Sequence, residues 1–323
     1  MKTLRLVTLN LWNKSGPWLE RRASICEELG EHAPDLVGFQ ELLRLVPDGD
    51  PGALPGAVSS AGPGPAWSWT AQDDQLTEIE GALRAAGGAP QSLAFVAAKS
   101  YGGGLVMGNG LMSRFPLLDV RGYALPGEES GETRSLLYAL LDTPGGRLPT
   151  FVTHLNWKWH HGAVRLRQVQ AIAEHIEALH PSTETPADDV LPPVLLGDFN
   201  AEPDADEIRY LRGLHTLEGK SVHFADAWIW AGDGGPGYTF ERANGFAARS
   251  NEPPRRIDYV FVRGPDERLR GEPLEARRAF MKARERVVEG DEAGGGGKVE
   301  RIWPSDHYGL VVDLAVSPRE ARN

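Results

Sequence analysis

Leu195-Leu196-Gly197-Asp198-Phe199-Asn200 concentrates more chemistry than any other short segment of this sequence. An apolar run delivers an aspartate, Gly197 lets the backbone turn closely, and Asn200 follows two positions on. Both polar side chains can therefore face one site. A carboxylate there can orient or deprotonate water, and an amide can donate to a developing oxyanion. Taken alone, the pair also fits an ordinary turn. Ser305-Asp306-His307-Tyr308 adds a histidine beside another aspartate. Adjacent Asp and His do not readily share one geometry, so Asp306 reads as a metal ligand and His307 as an acid/base group. Such an imidazole needs a separate carboxylate to fix its tautomer. Asp258, between Ile257 and Tyr259 in a strongly β-forming run, is the candidate. Its alternative role is an ion pair with Arg255 or Arg256 at a strand entrance.

Three further positions are ambiguous singly. His154 follows the apolar Phe151-Val152 and can be either a site group or a core histidine satisfied by backbone. Glu41, after Phe39-Gln40, can be a hard oxygen ligand or a surface glutamate, and Asn10 can be a capping residue. Asn10, Glu41, Asp198 and Asp306 together form an oxygen-rich donor set suited to Mg²⁺, or to Mn²⁺ as a substitute. Neither a His-Glu-x-x-His motif nor a cysteine pair is present to point to zinc.

The elements that must position these groups follow from apolar patterning. Leu4–Leu9 reads as a buried strand ending at Asn10. A helix is expected next, capped by Ser15, with Pro17 in its first turn and Gly30 at its end. Asp35–Glu41 reads as a strand with Glu41 at its exit. A helix over Asp73–Ala86 leads to strands at Ser92–Ala98, Gly104–Ser113, Ser135–Leu141 and Pro149–His154. Helical spacing marks Gly162–Leu179, and strands are expected at Pro193–Gly197, Arg256–Val262 and His307–Val316. Apolar runs thus end repeatedly on a polar residue, the arrangement by which α/β proteins gather a site at strand ends. The stretch 46–65 is rich in Pro, Gly and Ala and reads as a surface insertion. The charged stretch 265–300, with Gly294–Gly297, reads as a mobile excursion, since no Lys-Ser or Lys-Thr follows the glycines to make a phosphate cradle. A single domain spanning 1–323 is the expectation.

Bulk properties narrow the field. Hydrophobic residues at 41% and charged residues at 24% are those of an ordinary soluble domain. The formal net charge of -11 argues against a general nucleic-acid binder, although metal ions and a local basic rim can offset an acidic scaffold. Cys26 is the only cysteine, which rules out an intrachain disulfide or a thiolate zinc cluster. The first ten residues read as a strand rather than a leader, and no stretch approaches a membrane span. A cytoplasmic location is expected, without integral membrane attachment. Oligomeric state is not legible.

In chain order, Thr8-Leu9-Asn10, Gln40-Glu41, Thr153-His154, Gly197-Asp198-Phe199-Asn200, Ile257-Asp258-Tyr259 and Ser305-Asp306-His307 resemble the motifs of the endonuclease/exonuclease/phosphatase superfamily. That superfamily includes deoxyribonuclease I, abasic-site endonucleases, bacterial sphingomyelinases and inositol polyphosphate phosphatases. The resemblance implies an α/β, four-layer α-β-β-α sandwich of two packed mixed sheets, deoxyribonuclease I-like. It implies Mg²⁺ held chiefly by Glu41, with Asn10 and Asp306 nearby, Asp198 orienting the attacking water and Asn200 contacting the phosphate. His307 held by Asp258, together with His154, would stabilise the transition state or assist proton transfer. Arg134, in Glu132-Thr133-Arg134-Ser135, falls where related enzymes carry a phosphate-contacting arginine. Trp12 and His154 depart from the abasic-site pattern and lean toward the deoxyribonuclease or sphingomyelinase branches.

Trp157-Lys158-Trp159-His160-His161 follows His154 and is the most distinctive local feature. Trp157 and Lys158 can stack on a base and meet a phosphate, or dip into a lipid headgroup layer, or simply pack over the next helix. Trp67/Trp69 and Trp228/Trp230 repeat the spacing, which in strands puts both rings on one face. The leading expectation is a phosphodiesterase acting on a nucleic acid, nucleotide or lipid headgroup. The alternatives are a phosphomonoesterase of a small metabolite and a catalytically inactive binding module.

Overall fold

The computed structural model describes residues 2–47, 51–61, 74–182, 188–288 and 298–317. Strand β1 (Thr3–Asn10), helix α1 (Trp18–His32) and strand β2 (Leu36–Leu45) open the chain as a βαβ unit whose two strands run parallel. Then come β3 (Val58–Ala61), α2 (Gln75–Ala85), β4 (Ser92–Gly102), β5 (Leu105–Ser113), β6 (Leu117–Leu125), β7 (Arg134–Thr143) and β8 (Gly146–His154). A second βαβ unit joins β8, through α3 (Gly162–Leu179), to β9 (Val194–Asp198). Next are α4 (Asp206–Leu211), β10 (Ala225–Asp226), α5 (Ala227–Ala231) and β11 (Asp258–Val262). The last strands are β12 (Pro273–Ala279), β13 (Arg284–Val288), β14 (Lys298–Ile302) and β15 (Gly309–Ala315).

Two large mixed sheets result, ordered β12-β15-β1-β2-β5-β4-β3 and β10-β11-β9-β8-β7-β6. Their inner faces share one core containing Leu6, Leu36 and Val312 from the first sheet and Leu137, Leu196 and Val260 from the second. Outside the first sheet, Ile25 and Leu29 of α1 and Ile79 of α2 pack on Val7, Leu9 and Phe39. Outside the second, Ile172 and Ile176 of α3 and Ile208 of α4 pack on Phe151, Leu195 and Phe261. The central strands are therefore buried on both faces, which explains why they read as continuous apolar runs rather than alternating ones. The layering is the expected α-β-β-α sandwich. No described helix is long and apolar enough to cross a membrane.

Several local expectations are corrected. Strand β2 does not stop at Glu41 but runs on to Leu45, with its ladder slipping between Phe39 and Leu42. Glu41 has a left-handed φ of 59° there, so a bulge re-aims its side chain without ending the strand. Ser15 does not cap α1, because its hydroxyl donates to Asn13 Oδ1 instead. That helix passes Gly30 and ends at His32, capped by a left-handed Ala33. Part of the 46–65 insertion is strand β3, paired with β4. Within 265–300, β12 adds an edge strand to β15 and β13 pairs with β14, while Gly294–Gly297 lie outside the described residues. Trp228 and Trp230 sit on α5, not on a strand, so the first is buried and the second half exposed. Trp67 and Trp69 lie outside the described residues.

Gly197 shows how tightly the sheet carrying the site is drawn. Its φ is +146°, and a Cβ there would lie 1.9 Å from the Thr153 carbonyl oxygen on β8. Gly197→Ala is expected to destabilise the fold by at least ~2 kcal/mol, seen as a lower urea midpoint. An unchanged midpoint would show that β8 and β9 can separate freely at this point.

Candidate active site

Strand register places three of the chemistry-bearing residues side by side. On β9, Asp198 is level with His154 on parallel β8 and with Asp258 on antiparallel β11. All three are buried. Asn10 comes from β1 in the other sheet, and its Nδ2 donates to Asp198 Oδ2 at 2.9 Å, bridging the two sheets. Asp198 Oδ1 accepts the Asn200 backbone N–H at 2.8 Å. Asn200 itself sits at a φ of 51°, a left-handed conformation that asparagine tolerates better than most residues.

The loop before β15 is fastened from two sides. Ser305 Oγ donates to the Asn10 carbonyl at 2.6 Å, and the Ser305 carbonyl accepts from Asn244 Nδ2 at 2.8 Å. This holds His307 with Nδ1 2.9 Å from Asp258 Oδ2 and its ring 5.0 Å from that of Phe240. His307 Nε2 lies 3.8 Å from Asp198 Oδ2, and His154 Nε2 lies 3.5 Å from the same oxygen. One carboxylate oxygen is thus shared by Asn10, His154 and His307.

The two histidines are electrostatically opposite. Burial lowers the His154 pKa well below the usual imidazole value, and the cations of Arg134 and His307 lower it further. Arg134 Nη1 at 3.3 Å from Nδ1 and Asn200 Nδ2 at 3.0 Å from Nε2 aim a donor at each ring nitrogen, which also opposes a second ring proton. Burial opposes charge on His307 too, but Asp258 and Asp198 outweigh it and raise its pKa well above the usual value. Burial and the neighbouring Asp258 push Asp198 up to about 7, although His307 pulls the other way.

Beside this cluster lie the carboxylates of Glu41 and Asp306. Glu41 Oε2 accepts from Asn13 Nδ2 at 3.1 Å, and Glu41 Oε1 is 3.5 Å from Asn10 Nδ2. Asp306 is pushed up to about 6 by burial and the charge on Glu41, with His307 and Arg21 opposing. Asp258 Oδ1 is buried without a hydrogen-bond partner among the described residues. Among the described residues, ligand atoms of Asp198, Asp258 and His307 lie within 4.8 Å of one another. The Asp258–His307 hydrogen bond already occupies Nδ1 in that triad.

The structure therefore joins Asn10, Arg134, His154, Asp198, Asn200, Asp258 and His307 through hydrogen bonds or close polar contacts, with Glu41 and Asp306 alongside. Trp157 and Lys158 are less intimate. Trp157 is half exposed, and Lys158 Nζ turns to the Ser130 carbonyl at 3.3 Å. Sequence reasoning missed Asn13, Arg21, Asn244, Ser305 as a fastener, and Arg255. Arg21 is fully buried, donating to the carbonyls of Leu11, Asn13 and Ser15, and so shapes the turn that offers Asn13 to Glu41. No spacing in the sequence signals this, because its partners are backbone atoms.

Residues 7–307 match the sequence profile of the Endonuclease/Exonuclease/phosphatase family. The chain belongs to that family. Solved structures agree with the family fold. An endonuclease/exonuclease/phosphatase from Beutenbergia cavernae DSM 12333 is 22% identical, with a TM-score of 0.64, covering 98% of this chain and 72% of the other. The human Nocturnin catalytic domain is 16% identical, with a TM-score of 0.62 over 97% of this chain and 93% of that one. A humanized D. rerio TDP2 is 17% identical, with a TM-score of 0.59 over 97% and 98%. No curated protein matches the sequence. Endonuclease/Exonuclease/phosphatase enzymes hydrolyse phosphoesters and are generally dependent on divalent metals.

The burial of Asp306, with Glu41 nearby, should show in metal-free stability. A carboxyl raised from 3.8 to about 6 binds protons more tightly in the folded chain, so its ionisation destabilises the fold progressively as pH rises through that window. Asp306→Asn removes the effect. In excess chelator the variant should be the more stable by up to ~3 kcal/mol at pH 8, with roughly half that gain left at pH 5. A gain that did not shrink on acidification, measured by urea unfolding at both pH values, would contradict this electrostatic picture.

Proposed function

We propose that this chain is a divalent-metal-dependent phosphodiesterase in which water, oriented at Asp198 Oδ2, gives up a proton and attacks phosphorus as one ester P–O bond breaks, the leaving oxygen taking up a proton to depart as an alcohol. The observation that carries this reading is the convergence of Asn10, His154 and His307 on that single oxygen. Asp198, with its pKa raised to about 7, is matched to accept a proton from water near neutrality. Asn10 fixes the carboxylate from the opposite sheet, so the accepting lone pair cannot swing away.

His307, kept protonated and aimed by Asp258, supplies a positive donor for the charge that develops on the phosphoryl oxygens. His154 stays neutral, and Arg134 behind it adds a buried positive charge on the same side of the site. Asn200 would turn its side-chain amide from His154 to the phosphate, its backbone carbonyl being anchored by Arg255 Nη2 at 3.0 Å. All these parts position and neutralise, which is what phosphoryl transfer chiefly requires.

Glu41, Asn10 and Asp306 offer the hard oxygen donors that Mg²⁺ or Mn²⁺ takes, and the raised Asp306 pKa beside Glu41 marks a place where a cation would relieve repulsion. When bound, such an ion would neutralise phosphoryl charge and help orient the ester. Excess chelator is expected to abolish hydrolysis, and added Mg²⁺ or Mn²⁺ to restore it. Glu41→Gln should raise the half-saturating Mg²⁺ concentration at least ~10-fold, while His307→Ala should lower kcat by roughly 10²–10⁴-fold with the fold intact. Turnover that persists in excess chelator would remove the metal from the proposal, and a fully active, folded His307→Ala protein would remove His307 as the donor that stabilises the developing charge.

A further inference from the structure

Trp159 is the feature of the rim that the catalytic machinery leaves unexplained. Its side chain is 50% exposed, an unusual position for the largest apolar residue. It is nonetheless held. Arg165, buried and paired with Glu207 at 2.5 Å, donates to the main-chain carbonyls of Asn156 at 3.2 Å, Lys158 at 2.8 Å and Trp159 at 3.5 Å. Asn156 tightens the same loop by accepting from the Lys158 backbone N–H at 3.2 Å and by pairing with His161 Nδ1 at 3.0 Å.

The indole is supported as well as exposed. The Arg255 guanidinium lies over the ring, 4.2 Å from its centroid. Arg255 is buried and fixed by Glu252 Oε2 at 2.7 Å and by the Asn200 carbonyl at 3.0 Å. A single side chain therefore separates the indole from the residue that would hold the scissile phosphate. Trp157 is equally exposed but has no cation or ring stacked on it among the described residues. An aromatic surface with its backbone pinned and one face packed loses little further freedom when a second ring settles on the other face. Base–aromatic stacking of this kind contributes about 1–3 kcal/mol per base and tolerates any base.

We infer that Trp159, carried on Arg255, is a stacking subsite for a planar ring attached near the scissile phosphate, so that the substrate class is nucleoside phosphodiesters rather than alkyl or lipid ones. This deepens the phosphodiesterase reading and rests on it. The proposal commits to a flat heterocycle, because the Arg255 guanidinium already on the indole disfavours a second cation there, and a planar ring gains more contact on the indole face than an alkyl chain.

The test separates binding from turnover. Adenosine 5′-monophosphate and ribose 5-phosphate are titrated by calorimetry into the wild-type chain and into Trp159→Leu and Trp159→Phe. The wild type should bind the nucleotide at least ~10-fold more tightly than the sugar phosphate. Trp159→Leu should erase that preference while leaving ribose 5-phosphate affinity within about twofold, and Trp159→Phe should keep part of it. Equal wild-type affinity for both ligands overturns the inference, as does a preference that survives intact in Trp159→Leu. The p-nitrophenyl ester of thymidine 5′-monophosphate and methyl p-nitrophenyl phosphate are then compared as substrates. Nucleoside-ester preference that falls with Trp159→Leu supports the assignment, and equal turnover of the two esters overturns it. Silence on both esters beside a Trp159-dependent nucleotide preference would sink the hydrolase reading alone.

Discussion

A carboxylate buried between two β-sheets is costly unless donors meet its oxygens. Asp198 meets that demand from several directions at once. Its own loop supplies the Asn200 N–H, the opposite sheet supplies Asn10, and two histidines approach the remaining side. The Asn10–Asp198 hydrogen bond ties the two sheets together at the point where both present strand ends. Losing it would leave a buried polar group unpaired and unfix the sheets' relative placement at the site.

From that constraint the wider construction makes sense. Each sheet contains one parallel pair, β1/β2 and β8/β9, and a right-length helix returns the chain so that both members point the same way. Parallel pairs align their carboxyl ends, which is why Asn10 and the Glu41 bulge share one edge, as do His154 and Asp198. The antiparallel β11 enters from the opposite direction and contributes its first residue, Asp258, at the same level. Electrostatics then divides the labour: burial beside a cation keeps His154 neutral, whereas two carboxylates keep His307 charged.

Much of this was legible in the sequence because strands buried on both faces leave long apolar runs, and each run visibly ends in a polar residue. The Gly197-Asp198-Phe199-Asn200 segment and the 162–179 helix carry their geometry in local spacing. What spacing could not show was set by long-range contacts. The Glu41 bulge arises from a register slip against β5, not from a breaker in β2. Strand β12 lies in a charged stretch whose polarity hides an edge strand, because an edge needs only one covered face. Arg21 and Arg255 act on backbone carbonyls far along the chain or across a turn, and such bonds place no demand on the identity of their partners. Trp228 and Trp230 misled for a related reason: alternation alone does not distinguish a strand from a short helix.

Whether the Asp198 site cleaves phosphodiesters, as proposed, is tested most directly by hydrolysis of bis(p-nitrophenyl) phosphate beside p-nitrophenyl phosphate. Both are assayed with Mg²⁺, and the Asp198→Ala protein serves as the blank. Clear preference for the diester is expected, with a fall of at least ~10³-fold in the blank. Preference for the monoester, or equal turnover by folded Asp198→Ala, would contradict the proposal.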